Sequence, residues 1–410
     1  MTMKSVTVMF DKQFLIGSEV LNKIEQQGHQ AYFVGGCVRD LLLGHQIKDI
    51  DIATSAFPDT ILNLFEKVIP LGVEHGTVIV RHEKISFEVT TFRLDGTYSD
   101  QRHPDKVEFI DNIELDLKRR DFTINALAMN KEGKIIDLFN GQDDLNNQLI
   151  RTVGNGVERF KEDPLRIIRA LRFSSQLGFT IEHNTLEAID KVKHELKKIA
   201  VERITSEMNK LVVGYDINKG LSYLQETETY KYLPIMKDYP SLIKKIPDCL
   251  EPMETFGEFI ALCHFINPNI QINTWTKQWK CSNKIKNIAE NLANALFYYN
   301  DIQHLDSWLV YKLNFDLYPA FLRLANILFE NNSLLNKENL LHLSNKLPIQ
   351  STRELDINGN DIIEMFPQMS KGPWIQQTIK QLELKVVCGH IDNNHEKLKE
   401  WIKWNPPETN

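Results

Sequence analysis

Two aspartates one residue apart, Asp49 and Asp51, stand in the run Lys48-Asp49-Ile50-Asp51-Ile52. On a strand, side chains at i and i+2 share a face, so both carboxylates project together while Ile50 and Ile52 turn into a core. Side by side they repel, and one pKa rises. A bound Mg2+, a hard ion that prefers oxygen ligands, removes that repulsion and can activate a hydroxyl nucleophile. Alone, an Asp-x-Asp pair also fits an exposed strand edge. Just upstream, Phe33-Val34-Gly35-Gly36-Cys37-Val38-Arg39-Asp40 reads as a strand, two glycines and the start of a helix. Gly35 and Gly36 let backbone N–H groups approach a phosphate, and the helix N-terminus favours the anion. Arg39, one turn in, can add a charge-assisted contact to a triphosphate. Gly-Gly, twelve residues, then Asp-x-Asp between hydrophobics is more specific than either piece.

A second cluster of charge follows. Asp163 before Pro164 suits a helix N-cap with proline at the first helical position. Arg166, Arg169 and Arg172 then recur every three residues as a slowly turning cationic stripe. Ile167, Ile168, Leu171 and Phe173 fill the complementary positions, so the arginines face either water or a ligand.

These residues need two kinds of scaffold. The first third carries β-type runs at 31–36, 47–54, 77–82 and 85–92, separated by helical stretches such as the one ending at Gly44 and the one after Pro58. That mixture predicts an α/β unit of about 150 residues. After Gly156 apolar residues recur at three- and four-residue spacing, which predicts nearly continuous helix. A chain of 410 residues is long for one core, and two to four structural units are expected. The net charge of −7 argues against a wholly basic surface but leaves room for a local basic face. Five cysteines without CxxC spacing read as free thiols in a reducing compartment. No apolar run approaches membrane-spanning length and the N-terminus lacks a signal-peptide core, so a soluble cytoplasmic protein is expected.

The Gly-Gly to Asp-x-Asp spacing resembles the polymerase-β-type nucleotidyltransferase superfamily. That resemblance implies a third acid on a neighbouring strand, for which Glu88 in Phe87-Glu88-Val89 is the candidate; a solvent-facing strand position is its other reading. A fuller resemblance, over at least residues 30–210, is to the bacterial class II tRNA nucleotidyltransferases, the CCA-adding enzymes. It rests on VGGCVRDLLLGHQIKDIDIATSA, on RRDFTINALAMN at 119–130, on EDPLRIIRALRF at 162–173 and on ERITSE at 202–207, in that order.

The resemblance implies an α+β fold, with a polymerase-β-like head containing a mixed sheet (1–150), followed by an all-α neck (151–215), body (216–345) and tail (346–410). It implies template-independent addition of the 3′-terminal CCA of tRNA from CTP and ATP, with Mg2+ at Asp49 and Asp51. Asp163 and Arg166 would read the base edge: a carboxylate accepts from the exocyclic amine and a guanidinium donates to the ring nitrogen, an edge shared by cytosine and adenine. Arg120, Arg169 and Arg172 would take the phosphates. Asp121 and Asn125 are expected near Arg120 on one helix, and Glu202, Arg203 and Glu207 are expected to brace the nucleotide-reading helix.

The segment 91–107, with Arg93, Asp95 and Gly96, looks like the family loop needed for adding A. Basic clusters at Lys191, Lys193, Lys197 and Lys198, and at Lys277, Lys280, Lys284 and Lys286 beside Trp275 and Trp279, are candidates for the tRNA acceptor stem or for solvated faces. The alternatives are a bacterial poly(A) polymerase, which the segment after Leu71 fits less well, a CC-only or A-only enzyme, and a non-catalytic RNA-binding helical scaffold. Oligomeric state is not written in the sequence.

Overall fold

The alternation of Ile50, Asp51 and Ile52 has the expected outcome: both isoleucines are buried and Asp51 is partly open. The computed structural model of the chain describes residues 12–96, 107–329 and 335–407. Its first part runs α1 (Lys12–Glu25), β1 (Ala31–Val34), α2 (Gly36–Leu42), β2 (Ile50–Thr54), α3 (Pro58–Leu64), β3 (Val68–Gly72), β4 (Thr77–His82) and β5 (Ile85–Thr91). A two-stranded ribbon follows, β6 (Arg93–Asp95) with β7 (Val107–Phe109), then α4 (Ile113–Lys118), β8 (Leu127–Met129), β9 (Ile135–Asp137), α5 (Gly141–Asn146) and β10 (Leu149–Ile150).

Seven strands form one sheet in the order β3-β4-β5-β2-β1-β8-β9. Only the β2–β5 pair is parallel, so the sheet is mixed, as expected. Helix α1 covers it closely. Phe14 meets Phe33 edge-on at 4.8 Å, and Gly17 leaves the room, since a Cβ there would lie 2.7 Å from the Phe33 ring.

Helices then take over: α6 (Gly156–Glu162), α7 (Leu165–Leu177), α8 (His183–Val192), α9 (Val201–Val212) and α10 (Ile217–Glu226). Helix α7 buries Leu165, Ile167, Ile168, Ala170 and Leu171, and α9 buries Ile204, Met208 and Leu211 on the face that packs against it. Gly220 brings α10 close to α7; a Cβ there would lie 2.7 Å from that of Ser175. Backbone pairing and ring packing are among the links that fasten these helices to the sheet region. Strand β10 pairs in parallel with β11 (Thr180–Ile181), and Phe122 meets Phe173 of α7 edge-on at 5.7 Å.

The chain divides into compact units Met1–Lys244 and Lys245–Asn410, so one division falls inside the segment 216–345 expected to form a single body. Among its described residues the second unit is helical: α11 (Phe256–Ile266), α12 (Ile272–Gln278), α13 (Asn283–Ile302), α14 (Ser307–Lys312), α15 (Tyr318–Leu328), α16 (Lys337–Asn345), α17 (Gly359–Met365), α18 (Pro373–Val387) and α19 (His395–Trp404). Buried Glu258 on α11 accepts from Arg323 Nη2 on α15 at 3.0 Å. Trp275 and Trp279 are fully buried, Trp279 against Phe256 at 5.1 Å, so they are core residues and offer no stacking surface beside the nearby lysines. Among the described residues no helix is long and apolar enough to cross a membrane.

Two local expectations are corrected. Strand β2 begins at Ile50, so Asp49 lies just outside it and is exposed. Asp121 and Asn125 share no helix. The chain leaves α4 after Lys118 and makes a short 3-10 turn, Thr123–Asn125, because Phe122, Ile124 and Leu127 must all be buried where the segment runs into β8.

That turn is held from behind by α5. A Cβ on Gly141 would lie 2.4 Å from the Thr123 carbonyl oxygen and 3.0 Å from Leu127 Cδ2. Gly141→Ala is therefore expected to destabilise the chain by about 1–3 kcal/mol through overpacking. Urea unfolding measures this, and an unchanged midpoint would overturn the packing account.

Candidate active site

Strand β1 ends at Val34 and the chain must turn at once into α2. Gly35 does this with φ 71° and ψ −128°, a conformation that suits glycine. A side chain would also be blocked there, because a Cβ would sit 2.8 Å from Arg120 Nη1. One turn on, Arg39 donates from Nη1 to Asn125 Oδ1 at 2.6 Å and from Nε to Asp40 Oδ1 at 2.8 Å. The Gly-Gly turn, Arg39, Arg120 and Asn125 thus form one wall.

The acids lie on the adjoining strands. In the parallel β2–β5 register Asp51 stands directly beside Glu88, so the two side chains leave the same face of the sheet. Burial pushes the Asp51 carboxyl up, the neighbouring Glu88 and Asp49 push it further, and Arg120 opposes them; it is raised to about 6. Asp51 and Glu88 both line a cavity of about 590 Å3, whereas Asp49 does not. Among the described residues no three metal-binding side chains stand together as a formed cation cage.

The opposite wall is α7. Pro164, and not Asp163, takes the N-cap position of this helix; Asp163 stands one residue before it, accepts from Leu165 N at 3.1 Å, and is gripped by Arg203 of α9 through Nη2 to Oδ2 at 2.7 Å and Nη1 to Oδ1 at 3.3 Å. Arg166 donates from Nη1 to Glu162 Oε2 at 2.8 Å and to the Arg159 carbonyl at 3.2 Å, and from Nη2 to the Arg119 carbonyl at 3.1 Å. Arg169 makes a two-pronged contact with Asp121, Nε and Nη2 to Oδ2 at 2.8 and 2.5 Å. Arg172 is buried beside Glu207 of α9 at 3.0 Å. The arginine stripe therefore faces the cavity and its braces, and not bulk water.

Phe173 gathers the cations. The Arg172, Arg39 and Arg169 guanidinium carbons lie 3.9, 5.2 and 5.5 Å from its ring centroid. The ring face offsets part of their mutual repulsion. Arg172 is nevertheless lowered to about 10, by burial first and then by Arg169 and Arg39, with Glu207 and Asp121 opposing. Among the described residues, Arg120 Nε and Arg172 Nε are buried without a hydrogen-bond partner. Eight arginines and four carboxylates line the cavity, Asp51 and Glu88 from the sheet and Asp121 and Asp163 from the turn and α7. Such a pocket suits a polyanion on its arginine side, with two carboxylates left on the sheet side for a cation.

The candidates are thus brought together in one cavity, except Asp49 at its margin. Gly96 is exposed at the end of β6, and residues 97–106 of the expected loop lie outside the described residues. Sequence reasoning passes over Phe173 as plain core and over Asp116, whose buried carboxylate pairs with Arg119 and Arg120. The spacing of Asp116 to those arginines, i+3 and i+4, is the signal that points to it.

Three family models match the chain: the poly A polymerase head domain over 31–151, the probable RNA and SrmB-binding site of polymerase A over 178–239, and a putative tRNA nucleotidyltransferase domain 2 over 257–402. The CCA-adding enzyme of Oceanobacillus iheyensis is 45% identical over 403 residues, which span 98% of this chain and 100% of that one. The CCA-adding enzyme of Bacillus cereus strain B4264 is 39% identical over 96% of this chain and 98% of its own. The crystal structure of the Bacillus stearothermophilus CCA-adding enzyme in complex with CTP is similar with a TM-score of 0.86 at 34% identity, covering 97% of this chain and 98% of that one. The Thermotoga maritima CCA-adding enzyme complexed with tRNA shares the fold, with a TM-score of 0.62 at 22% identity, over 97% of this chain and 96% of that one.

The Asp121–Arg169 contact yields a pH test. Burial pushes the Asp121 carboxyl up, but Arg169, Asn125 and Arg166 together outweigh it and hold the group well below the usual carboxylate range. A carboxyl depressed below its unfolded value of about 3.9 contributes stability above that value and loses it as pH falls through the folded one. Asp121→Asn is expected to cost about 3 kcal/mol at neutral pH by leaving Arg169 without its charge partner. The stability gap between wild type and variant should stay flat from about pH 5 to pH 8 and close below about pH 4. Denaturant unfolding across pH measures it, and a gap that widens in acid would contradict this assignment.

Proposed function

The chain belongs to the family of CCA-adding enzymes, nucleotidyltransferases that act at the 3′ end of tRNA, and we propose that the cavity between the head sheet and α7 is where it does so. Its activity is template-independent addition and repair of the terminal CCA. The observation that carries the assignment to this cavity is the facing arrangement: Asp51 in register with Glu88 on the sheet, and opposite them Asp163 just before α7 with Arg166, Arg169 and Arg172 on it.

In the reaction the terminal hydroxyl of the tRNA attacks the α-phosphorus of CTP or ATP, the α–β bond breaks and pyrophosphate leaves. Asp49 and Asp51, with Glu88 beside them, are the residues that would hold Mg2+. Their all-oxygen donor set and the raised carboxyl of Asp51 fit a hard divalent cation. When bound, such an ion relieves the crowding of the acids and favours ionisation of the attacking hydroxyl. Arg39 and Arg120 beside the Gly35-Gly36 turn, with Arg169 and Arg172, take the triphosphate charge; the unpartnered Nε atoms of Arg120 and Arg172 support this.

Asp163 and Arg166 read the base. Arg166 has five N–H donors and spends three on protein acceptors, so Nε and one Nη2 hydrogen remain for a ring nitrogen. Arg203 holds the Asp163 carboxylate as an acceptor for an exocyclic amine. Uracil and guanine would set a carbonyl against that carboxylate, a repulsive pairing that the site rejects.

The helical segments 151–215, 216–345 and 346–410 would carry the tRNA through phosphate and shape contacts. In the first of the basic clusters, Lys193 and Lys198 are already paired with Asp190 and Glu195. A cytoplasmic location, where tRNA is processed, belongs to the same reading.

Two of the matching family models are named for poly(A) polymerase, which keeps that enzyme as a second reading. Incubation with tRNA lacking its 3′ end, Mg2+ and labelled CTP or ATP separates them. Two C residues and one A, with synthesis stopping there, are expected. Long A tails on arbitrary RNA would favour the polymerase, and no incorporation at all would sink the enzymatic reading. Asp51→Ala should cut addition of both C and A by about 10³-fold or more, because the chemistry is shared. Asp163→Ala should leave the thermal transition near wild type and raise UTP and GTP use relative to CTP; unchanged selectivity would overturn the base-reading role.

A further inference from the structure

Behind the phosphate wall lies a buried carboxylate that does not line the cavity. Asp116 sits in α4, whose start is capped by Asn112 accepting from Glu114 N at 2.8 Å. It is 1% exposed. Its Oδ1 accepts from Arg119 Nη2 at 2.8 Å and Nε at 3.1 Å, and its Oδ2 accepts from Arg120 Nη2 at 3.2 Å. A longer contact of 3.4 Å joins Oδ1 to the backbone N–H of Arg93, the first residue of the β6–β7 ribbon. Although burial pushes its carboxyl up, Arg119 and Arg120 outweigh that and keep it ionised.

Arg120 is therefore held at one end of its guanidinium and lies close to the Gly35 turn at the other. Asp116 holds Nη2, and Nη1 rests over the Gly35 backbone, so close that a Cβ there would lie 2.8 Å away. Its Nε is buried without a partner among the described residues. Asp116 also steadies Arg119, whose carbonyl accepts from Arg166 Nη2 at 3.1 Å. One carboxylate thus links the Gly35 turn, the ribbon root and the N-terminal turn of α7.

We propose that Asp116 is a positioning residue for nucleotide binding: its carboxylate holds Arg120 over the Gly35 turn, aimed at the triphosphate, and contributes through Arg120 without touching the nucleotide. The inference rests on the reading of this cavity as the nucleotide site with Arg120 at the phosphates. It predicts a loss confined to the phosphate end of the ligand. A residue needed only for folding would weaken every ligand alike.

The test compares calorimetric affinities of CTP and CMP, with Mg2+ present, for the full chain and for Asp116→Asn, Arg120→Gln and the double variant. Asp116→Asn should lower the preference for CTP over CMP about tenfold, the worth of one charge-assisted contact, while CMP affinity stays within about twofold. Arg120→Gln should lower the preference at least as far, and the double variant no further than Arg120→Gln alone, because both act through one contact. If Arg120→Gln lowers the preference and Asp116→Asn does not, the role of Asp116 is overturned while the site reading stands. If Arg120→Gln leaves the preference unchanged, the reading of Arg120 at the phosphates falls and this inference with it. Additive losses in the double variant, or equal losses for CTP and CMP, also overturn it. Should Asp116→Asn not fold, Asp116→Glu keeps the charge but moves it by one methylene. It too should lower the preference, and a wild-type preference in that variant overturns the proposal.

Discussion

The half-buried contact between Asp121 and Arg169 spans 48 residues of sequence and fixes how α7 faces the sheet. Asp121 belongs to the turn that enters β8, and Arg169 to the middle of α7, so the pair sets the distance between the cavity's two walls. An ion pair with one buried partner is weak evidence for net stability, since desolvating the charge offsets much of the attraction. Its value here is geometric. An apolar pair of the same volume could hold the walls together but would not fix the rotation of α7, and Arg166, Arg169 and Arg172 point into the cavity only at one rotation. Asp121 also accepts from Asn125, which accepts from Arg39 of α2, so the same carboxylate steadies the Gly-Gly wall.

Packing so many like charges into one pocket has to be offset. On the arginine side the offsets are Asp121, Asp163 and Glu207, together with the Phe173 ring. Arg172 is still lowered, by burial first and then by Arg169 and Arg39. On the sheet side Arg120 opposes the crowding of Asp51, Glu88 and Asp49 and leaves Asp51 raised. Arginines dominate one side of the cavity and Asp51 and Glu88 stand on the other, an arrangement that on the proposed reading suits the two halves of a metal–nucleoside triphosphate. Rigid strands and helices keep the walls from collapsing onto one another, a condition for electrostatic preorganisation.

Much of this was legible locally. Strands β4 and β5 coincide with the β-branched runs at 77–82 and 85–92, because residues alternating across a sheet leave a period-two trace. Strand β3 leaves no such trace, since Pro70 sits in an edge strand where a missing N–H is tolerated. The start of β2 was not legible either, because a strand begins where a partner begins, and the partner β5 lies far along the chain. The site residues that ligands would touch fall in short motifs and can be read from spacing. Their braces cannot: Arg203 is 40 residues from Asp163, and nothing in either local pattern announces the other. The same limit explains Trp275 and Trp279. Tryptophans beside lysines look like a nucleic-acid platform until the fold shows both indoles inside a helical core.

Choosing two bases and refusing two others places opposite demands on one site. Cytosine and adenine differ in size but share an amine beside a ring acceptor, so on the proposed reading the polar readers must be rigid while the space around them is generous. The structure is suited to both demands. Asp163 and Arg166 are each held by partners outside the pair, Arg203 and Glu162, and neither is free to swing toward a carbonyl-bearing edge. The cavity, at about 590 Å3, leaves room for either ring system. A mobile arginine could adapt to uracil by donating to its carbonyl, and discrimination would fall to the small cost of a shifted side chain. Held in place, the same arginine leaves the wrong base setting a carbonyl against the half-buried Asp163 carboxylate, a penalty that can select without a nucleic-acid template.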